Sequence, residues 1–217
     1  MQEQAQSRWD LLLLLSLLLV ILSYPLLDHG DFQRLVLGML VFLPAILATI
    51  KLSQVKVWVW PSMLLMSCAF LFALASVILQ SQLLAGIKWG ILAAFFGVTV
   101  VGLFDYLRKA RSVTNAHLFT AASIYLLLGM QWFAIYSAFE IFNPGSFLSS
   151  SSIATDRQTE LLYFGLVTLS TIGYGDIVPV GGEVRMLAAL EGITGVLYVA
   201  ITVALLVSAY KQQGNSG

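Results

Sequence analysis

The sequence is poor in charge, in cysteine and in histidine. Of its 217 residues only 10% are charged, against about 25% in a typical soluble domain. Basic and acidic side chains number 11 each, so no basic excess exists for binding nucleic acid. The single Cys68 excludes an intramolecular disulfide framework, and His29 and His117 are too few and too separated to suggest a metal site. These shortages exclude soluble enzymes, disordered proteins and nucleic-acid-binding proteins, and no cofactor is predicted.

Apolar residues dominate what remains. They make up 59% of the chain, and the mean hydropathy is +0.90. A helix that spans a bilayer needs about 20 mostly apolar residues. Such stretches are found at 11–27, 32–50, 57–79, 83–107, 117–140 and 184–209. We therefore predict an all-α membrane protein with six transmembrane helices, surrounded by membrane lipid.

The segment 141–183 interrupts this pattern between the last two stretches. It begins with polar and turn-forming residues and becomes apolar over 161–169, which is too short to span a bilayer. A short helix that enters the membrane and returns on the same side is typical of such a pattern. We predict this re-entrant helix at 156–170. Its start is placed near Thr155, because Thr155 and Gln158 have the spacing of a capping box.

The distribution of basic residues predicts the orientation. With a cytoplasmic N-terminus, seven of the 11 Lys and Arg residues fall in cytoplasmic loops and three in outer loops, while Lys88 lies inside the fourth stretch. Cytoplasmic loops of membrane proteins are enriched in Lys and Arg. Both termini are therefore predicted to be cytoplasmic, in a multi-pass protein of the cell membrane. The segment 141–183 then opens to the outside.

One short segment, Thr171-Ile-Gly-Tyr-Gly-Asp176, has a pattern that indicates a specific chemistry. Its two glycines alternate with Ile172 and Tyr174, and glycine adopts positive φ at little cost. Successive carbonyl groups can then point to the same side, with the bulky side chains turned away toward the short helix. Four such segments around an axis would stack rings of carbonyl oxygens, to which Thr171 adds a hydroxyl layer. Such rings can replace the hydration shell of a cation.

This segment resembles the signature sequence of potassium channels. Residues 117–210 resemble the whole pore unit of that family, and Val178-Pro179 follows the filter at the family's usual place. Gly195, 16 residues after Pro179, stands where many members carry a hinge glycine on the inner helix. The resemblance implies a homotetramer of the pore-loop cation channel superfamily that conducts K⁺ passively.

The resemblance also implies domain bounds. A four-helix peripheral domain is expected at 1–107, a cytoplasmic linker at 108–116 and a pore domain at 117–217. Within the pore domain we expect an outer helix at 117–140, a pore helix at 156–170, a selectivity filter at 171–176 and an inner helix at 184–209. The peripheral domain resembles that of the family only in layout. The basic linker is predicted chiefly to set orientation, and contact with anionic lipid is the alternative.

Site residues follow from the same resemblance. K⁺ is expected at the filter residues Thr171, Ile172, Gly173 and Tyr174, with Gly175 completing the filter. The side chains expected to support the filter are Asp176, Tyr163 and Glu191. The residues expected to line the cavity below it are Thr168, Ser170, Val196, Val199 and Val203, and Gly195 is the expected hinge.

Two of the supporting residues have a specific expected placement. Tyr163 lies eight residues before Thr171, so its hydroxyl should be level with Asp176 because helix and filter run in opposite directions. Glu191 lies deep in the inner helix, where a charge is costly. We interpret Glu191 as a polar brace that reaches hydroxyl groups of the pore helix or its neighbour. A cation site facing the pore is the alternative.

The fourth stretch departs from voltage-gated members of the family. Steep voltage dependence needs about 3–4 gating charges per subunit, whereas residues 85–107 contain only Lys88. Lys88 is interpreted as reaching to the outer interface, and no buried acidic partner is predicted in the first three helices. Little intrinsic voltage sensitivity is expected.

Two functions other than that of a channel are compatible with parts of the sequence. The pattern Gly-x-Gly-Asp at 173–176 also occurs in intramembrane aspartyl proteases, which need a second aspartate nearby. The only candidate, Asp105, is predicted at the opposite side of the membrane, so no enzyme is expected. A non-conducting subunit that modulates other channels is the remaining alternative, although the intact filter segment argues against it.

Overall fold

The computed structural model of the chain describes residues 2–27, 36–37, 39–53, 55–109, 113–150 and 156–214. Its elements, in chain order, are helices α1 (Gln2–Ser23), α2 (Phe42–Leu52), α3 (Lys56–Ile78), α4 (Gln82–Arg108) and α5 (Asn115–Phe142), strand β1 (Phe147–Ser149), helix α6 (Arg157–Leu169), strand β2 (Ile177–Pro179) and helix α7 (Gly182–Gly214). They form two compact units, one from residues 1–60, 98–127 and 197–217, and one from 61–97 and 128–196.

Among the described residues, four helical segments are long and apolar enough to cross a membrane. They are Val57–Ile78, Gln82–Arg108, Asn115–Phe142 and Gly182–Lys211. These four segments confirm the third to sixth predicted stretches as helices of spanning length. The helices α5 and α7 are each longer than the predicted stretches 117–140 and 184–209.

The first two predicted stretches correspond less closely to helices. The first, 11–27, falls on α1, which ends at Ser23. Pro25 accounts for this early end, because a proline disfavours helical backbone at the residue before it. The second, 32–50, lies partly outside the described residues, and α2 covers its later part with 11 residues. Six spans therefore remain a prediction.

In the first unit, α1 packs one face against α2. Leu13, Leu17 and Val20 recur at intervals of three or four residues and are fully buried, as the period of a helix requires. Ala45 and Ala48 of α2 are buried as well, and their small side chains allow the helices to approach closely. Leu11, Leu12, Leu15, Leu18, Leu19 and Leu22 of α1 are exposed, as suits a helix that faces lipid.

In the second unit, a two-stranded antiparallel sheet connects the two ends of the segment that contains α6. Strands β1 and β2 pair Leu148 with Val178, and Ser149 with Ile177. Helix α6 has 13 residues, so it is about 20 Å long. A bilayer core is about 30 Å thick. The segment thus contains a helix too short to span, and it begins and ends at the same place in the fold.

The start of α6 differs from the prediction by its cap. Asp156 is the N-cap, and its carboxylate accepts a hydrogen bond from the Gln158 backbone N–H at 3.1 Å. The expected capping box starting at Thr155 is therefore wrong in register, and Thr155 itself lies outside the described residues. Aspartate and threonine are both good N-caps, but the aspartate charge also interacts favourably with the helix dipole.

Candidate functional site

The backbone after α6 alternates in handedness. Thr171, Gly173 and Gly175 have φ of 61°, 54° and 79°. At the two glycines this conformation was expected, since glycine lacks the Cβ that makes positive φ unfavourable. At Thr171 it is strained, because a β-branched residue rarely adopts positive φ. The left-handed residues thus occur at every second position from Thr171 to Gly175.

Hydrogen bonds attach the inner end of this segment to the last turn of α6. The N–H groups of Ile172 and Gly173 both donate to the Val167 carbonyl, at 3.0 and 3.4 Å. The Ser170 hydroxyl donates back to the carbonyls of Leu166 and Val167, at 2.8 and 3.1 Å. These bonds use carbonyls that the end of a helix leaves unpaired. Ser170 thus caps α6, a contact that the sequence did not indicate.

The segment itself is exposed within one chain. Ile172 and Tyr174 are 55% and 69% exposed to solvent, and the other residues from Thr171 to Gly175 are exposed too. Tyr174 stacks on Tyr163 of α6, with nearly parallel rings whose centroids are 6.5 Å apart. Large side chains that are exposed next to one another often mark an interface with another protein chain.

The outer end of the segment is bound to the strand β1 and to α6. The backbone N–H and the hydroxyl of Ser150 both donate to the carbonyl of Asp176, at 2.8 and 3.1 Å. Desolvation and a hydrogen bond to the Asp176 carboxylate raise the pKa of the Tyr163 phenol to about 12. The phenol is a donor at neutral pH, and its role in supporting the filter together with Asp176 stays a prediction.

Arg157 connects three elements beside α6. Its guanidinium contacts Glu140 of α5 at 2.8 Å and Glu160 of α6 at 2.9 Å, and it donates to the carbonyl of Phe147 in β1 at 2.6 Å. Glu140 also accepts from the backbone N–H groups of Gly145 and Ser146. A guanidinium can hold several acceptors in one plane. The cluster fixes the loop after α5 to the start of α6.

Glu191 is fully buried and bonded to a residue that the sequence analysis did not select. Its Oε2 accepts a hydrogen bond from the Tyr136 hydroxyl of α5 at 2.6 Å. The expectation named hydroxyl groups of the pore helix or its neighbour, and Tyr136 lies on α5, which packs against α6. The role of Glu191 as a brace stays a prediction. Its carboxylate does approach the pore helix, where Oε1 lies 3.4 Å from the position of a Cβ on Gly165. Full burial also contradicts the alternative of a cation site facing the pore.

Gly195 lies where α7 meets the end of α6. A Cβ on Gly195 would lie 2.0 Å from the carbonyl oxygen of Leu169, a distance that no side chain could tolerate. Gly192, one turn earlier, leaves 3.8 Å to the carbonyl oxygen of Thr168. Gly195 is thus required for close approach of the two helices, whereas its expected role as a hinge stays a prediction.

The residues expected to line a cavity below the filter have different surroundings. Thr168 is half-buried, and Val196, Val199 and Val203 are about half exposed. Val199 and Val203 also border an apolar cavity of about 460 Å³ within the first unit, which Leu14 of α1 lines too. The lining role of these residues stays a prediction.

A buried ion pair in the first unit was missed by the sequence analysis. Lys51 of α2 lies 2.6 Å from a carboxylate oxygen of Asp10 in α1, and neither side chain is more than 3% exposed. The Lys51 ammonium also lies 4.2 Å from the centre of the Tyr106 ring. The expectation that helices one to three hold no buried acidic partner is therefore wrong. Asp10 stands just before the first apolar stretch, and Lys51 just after the second, where it counts as a residue of a cytoplasmic loop. Neither position indicates burial.

Lys88 of α4 has an aromatic neighbour. Its ammonium lies 4.4 Å from the centre of the Trp89 ring, a distance at which cation–π attraction operates. The side chain is partly exposed. Its expected reach to the outer interface stays a prediction.

Residues 116–212, which include α6 and the Thr171–Asp176 segment, match the sequence model of a family described as an ion channel. A protein of Rhodopseudomonas palustris named as a potassium channel is 40% identical over 53 residues, which are 24% of this chain and 13% of the relative. The inward rectifier potassium channel Kirbac3.1 of Paramagnetospirillum magnetotacticum is 29% identical over 100 residues, 46% of this chain and 29% of the relative. Two pore potassium channel c of Oryza sativa is 35% identical over 96 residues, 44% and 19% of the two chains.

The matched segments thus cover less than a third of each of these relatives. No solved structure matches the chain. The relatives are channels by name and not enzymes, which agrees with the prediction that the chain is not an enzyme.

Proposed function

We propose that this chain is a subunit of a potassium-selective channel. The premise is that residues 116–212 match an ion-channel family and have potassium-channel relatives. The observation that carries the proposal is the alternation of left-handed backbone at Thr171, Gly173 and Gly175, directly after a short capped helix. Alternation of this kind allows successive carbonyl oxygens to face one axis. The backbone oxygens of residues 171–174 would hold dehydrated K⁺, with Gly175 completing the filter.

The proposed pore is a homotetramer. One chain supplies one filter segment, and a ring of carbonyl oxygens needs several copies. The exposure of Ile172 and Tyr174 within one chain supports burial against neighbouring copies. Closed fourfold symmetry is the simplest arrangement that completes the ring.

The short helix α6 supports the cation electrostatically. Its C-terminal carbonyls lie directly before the filter segment, and a helix carries partial negative charge at that end. The flanking segment begins and ends at the β1–β2 sheet, which supports a re-entrant path. Thr168, Ser170 and the three valines of α7 would line the vestibule below it.

The proposed topology follows the distribution of charge and the lengths of the apolar stretches. We propose six spans, a peripheral domain over 1–107, a linker over 108–116 and a pore domain over 117–217, in a cell membrane with both termini cytoplasmic. Positive residues cluster at 108–111, as expected of a cytoplasmic loop. Membrane lipid surrounds the helices, whose outward leucines are exposed.

A non-conducting subunit is the second candidate. It would need the same fold and the same contacts between copies but would not pass ions by itself. The complete filter segment favours conduction. Thr171 has a strained positive φ, which a working filter would use and a non-conducting chain would have no reason to keep.

Ion flux tests the proposal directly. The purified protein in liposomes should pass K⁺ and Rb⁺ and largely exclude Na⁺. Gly173→Ala should abolish selective flux, because alanine is strained at φ of 54°. Gly181→Ala is the matched control, since its Cβ would meet nothing closer than 3.9 Å. Equal Na⁺ and K⁺ flux through the parent protein would refute the proposal, and no flux at all would favour the non-conducting subunit.

A further inference from the structure

We infer that Tyr136 is a positioning residue of the filter. Its hydroxyl joins Glu191 of the inner helix to a group of aromatic side chains that holds both ends of the filter segment. The inference rests on the proposed function, since it concerns the filter of that same channel. It adds a residue and a route of coupling that neither the signature sequence nor the family resemblance indicates.

The aromatic group consists of Tyr136, Phe147 and Phe164. Each ring contacts the other two edge to face, with centroids 5.3, 5.2 and 5.1 Å apart. All three side chains are buried. Edge-to-face pairs at this distance add stability beyond the burial of area. The three rings form one packed unit, which is called the aromatic triad below.

The aromatic triad connects three elements that hold the filter. Tyr136 belongs to the outer helix α5, Phe147 to strand β1 and Phe164 to the pore helix α6. Helix α6 leads directly into the inner end of the filter. Strand β1 pairs with β2, which follows the outer end. Displacement of the triad would therefore act on both ends of the filter.

Glu191 attaches the inner helix to the triad. The Tyr136 hydroxyl donates to Oε2 at 2.6 Å, and among the described residues no polar atom bonds to the buried Oε1. No Lys, Arg or His of the described residues forms an ion pair with this carboxyl group. A buried charge without a partner is very unfavourable. The site therefore accommodates the neutral carboxyl group, and Tyr136 supplies its one hydrogen bond.

The Tyr136 hydroxyl is therefore important for keeping the Glu191 carboxyl group in place. Without it, both oxygens of Glu191 would be buried without a partner, beside Gly165 of α6, where Oε1 lies 3.4 Å from the position of an added Cβ. If α7 moved away from α6, water could reach the carboxyl group and form hydrogen bonds with its oxygens. The same movement would loosen the contact of α7 with the end of α6, where the filter begins.

The test compares Tyr136→Phe with a matched control, Tyr198→Phe. Tyr198 of α7 donates to the Ala121 carbonyl of α5 at 2.5 Å, so both substitutions remove a tyrosine hydroxyl bond between the same two helices. Full-length proteins in planar bilayers would be compared by K⁺/Na⁺ permeability ratio and by current decay during maintained opening. Tyr136→Phe should change both by roughly three- to tenfold, as expected for the loss of one buried hydrogen bond. Tyr198→Phe should change neither.

A second variant distinguishes a neutral carboxyl group from a charged one. Glu191→Gln keeps an oxygen that accepts from Tyr136, so it should stay close to the parent protein in both measurements. The double variant with Tyr136→Phe should be no worse than Tyr136→Phe alone. If Tyr136→Phe does not assemble, Glu191→Met takes its place, since it removes the acceptor and leaves the tyrosine.

Several results would overturn the inference. They are unchanged permeability and decay in Tyr136→Phe, the same change in Tyr198→Phe, or damage from Glu191→Gln as large as that from Tyr136→Phe. If the parent protein shows no K⁺ selectivity, the proposed function fails and the inference fails with it. If the parent protein is selective and the variants behave as it does, the inference alone fails.

Discussion

Tyr163 and Asp176 are the two side chains whose contact at the outer end of the filter the sequence indicated. The phenol has its pKa raised to about 12 by desolvation and by its hydrogen bond to the Asp176 carboxylate, so it remains a donor throughout the neutral range. Tyr163 also stacks on Tyr174 of the filter. A donor that holds both the filter tyrosine and the carboxylate after it should limit collapse of the filter.

Tyr163→Phe and Asp176→Asn should each alter the decay of current during maintained opening. The stacking of rings survives in Tyr163→Phe, so a change would report the hydroxyl alone. Both variants break the same contact, so the effects of the two substitutions on current decay should not add in the double variant. Effects that simply add, or variants that decay as the parent protein does, would show that the two side chains act independently.

Asp10 and Lys51 form the pair for which the structure corrects the sequence analysis. Removing one charge of a buried pair leaves the other without a partner, which typically costs about 3–5 kcal/mol. Asp10→Asn and Lys51→Met should therefore each lower the thermal stability of the protein in detergent, and the double variant should lose less than the sum. Asp105→Asn removes ion pairs with the exposed Arg108 and Lys109 and serves as the control, with little change expected. Strictly additive losses would contradict the assignment.

The difference between these two pairs shows what a sequence can predict at the scale of residues. Tyr163 and Asp176 lie within one short segment, so helix geometry alone predicts that they lie at one level. Asp10 and Lys51 are 41 residues apart, and Tyr136 and Glu191 are 55 apart. Such contacts depend on how helices pack, and helices of uniform apolarity give no face pattern from which packing could be predicted.

At the scale of elements, Gly195 decides how closely α7 approaches α6. Gly195→Ala would place a methyl group 2.0 Å from the Leu169 carbonyl oxygen, so one helix must shift. We expect this variant to lose K⁺-selective flux or to assemble poorly. Gly192→Ala makes the same change with 3.8 Å of room at the Thr168 carbonyl and should retain flux. Normal flux in Gly195→Ala, or equal loss in both variants, would contradict a role in close approach.

Elements were predictable where length and composition sufficed. The helices α3, α4, α5 and α7 coincide with apolar stretches because about 20 such residues leave little alternative in a bilayer. The ends were less predictable. Asp156 and Thr155 compete as caps of α6, and β1 has three residues, whose pairing with β2 depends on where the filter segment returns.

At the scale of the whole molecule, the proposed filter would need other copies of the chain. We expect the native mass of the detergent-solubilised protein, corrected for bound detergent, to be four times the 23.7 kDa of one chain. Fourfold closure brings four filter segments to one axis. A mass that corresponds to two or three chains would contradict the tetramer.

Voltage dependence is likewise a property of the assembled molecule. Helix α4 carries Lys88 inside its apolar length and Arg108 at its end. Moving one charge across the membrane is worth about 2.3 kcal/mol per 100 mV, so open probability should change only gently with voltage. Recordings in bilayers would test this, and gating charge equivalent to three or more charges per subunit would show that helices other than α4 move in the field.

The exposure of Ile172 and Tyr174 in a single chain also has a consequence for inheritance. In the proposed tetramer every copy completes the filter, so any one defective copy spoils it. In a cell that makes normal and filter-defective chains in equal amounts, random assembly leaves only about one tetramer in sixteen free of defective chains. Alleles that damage the Thr171–Asp176 segment and leave folding intact would therefore be dominant, whereas alleles that prevent the chain from folding would be recessive.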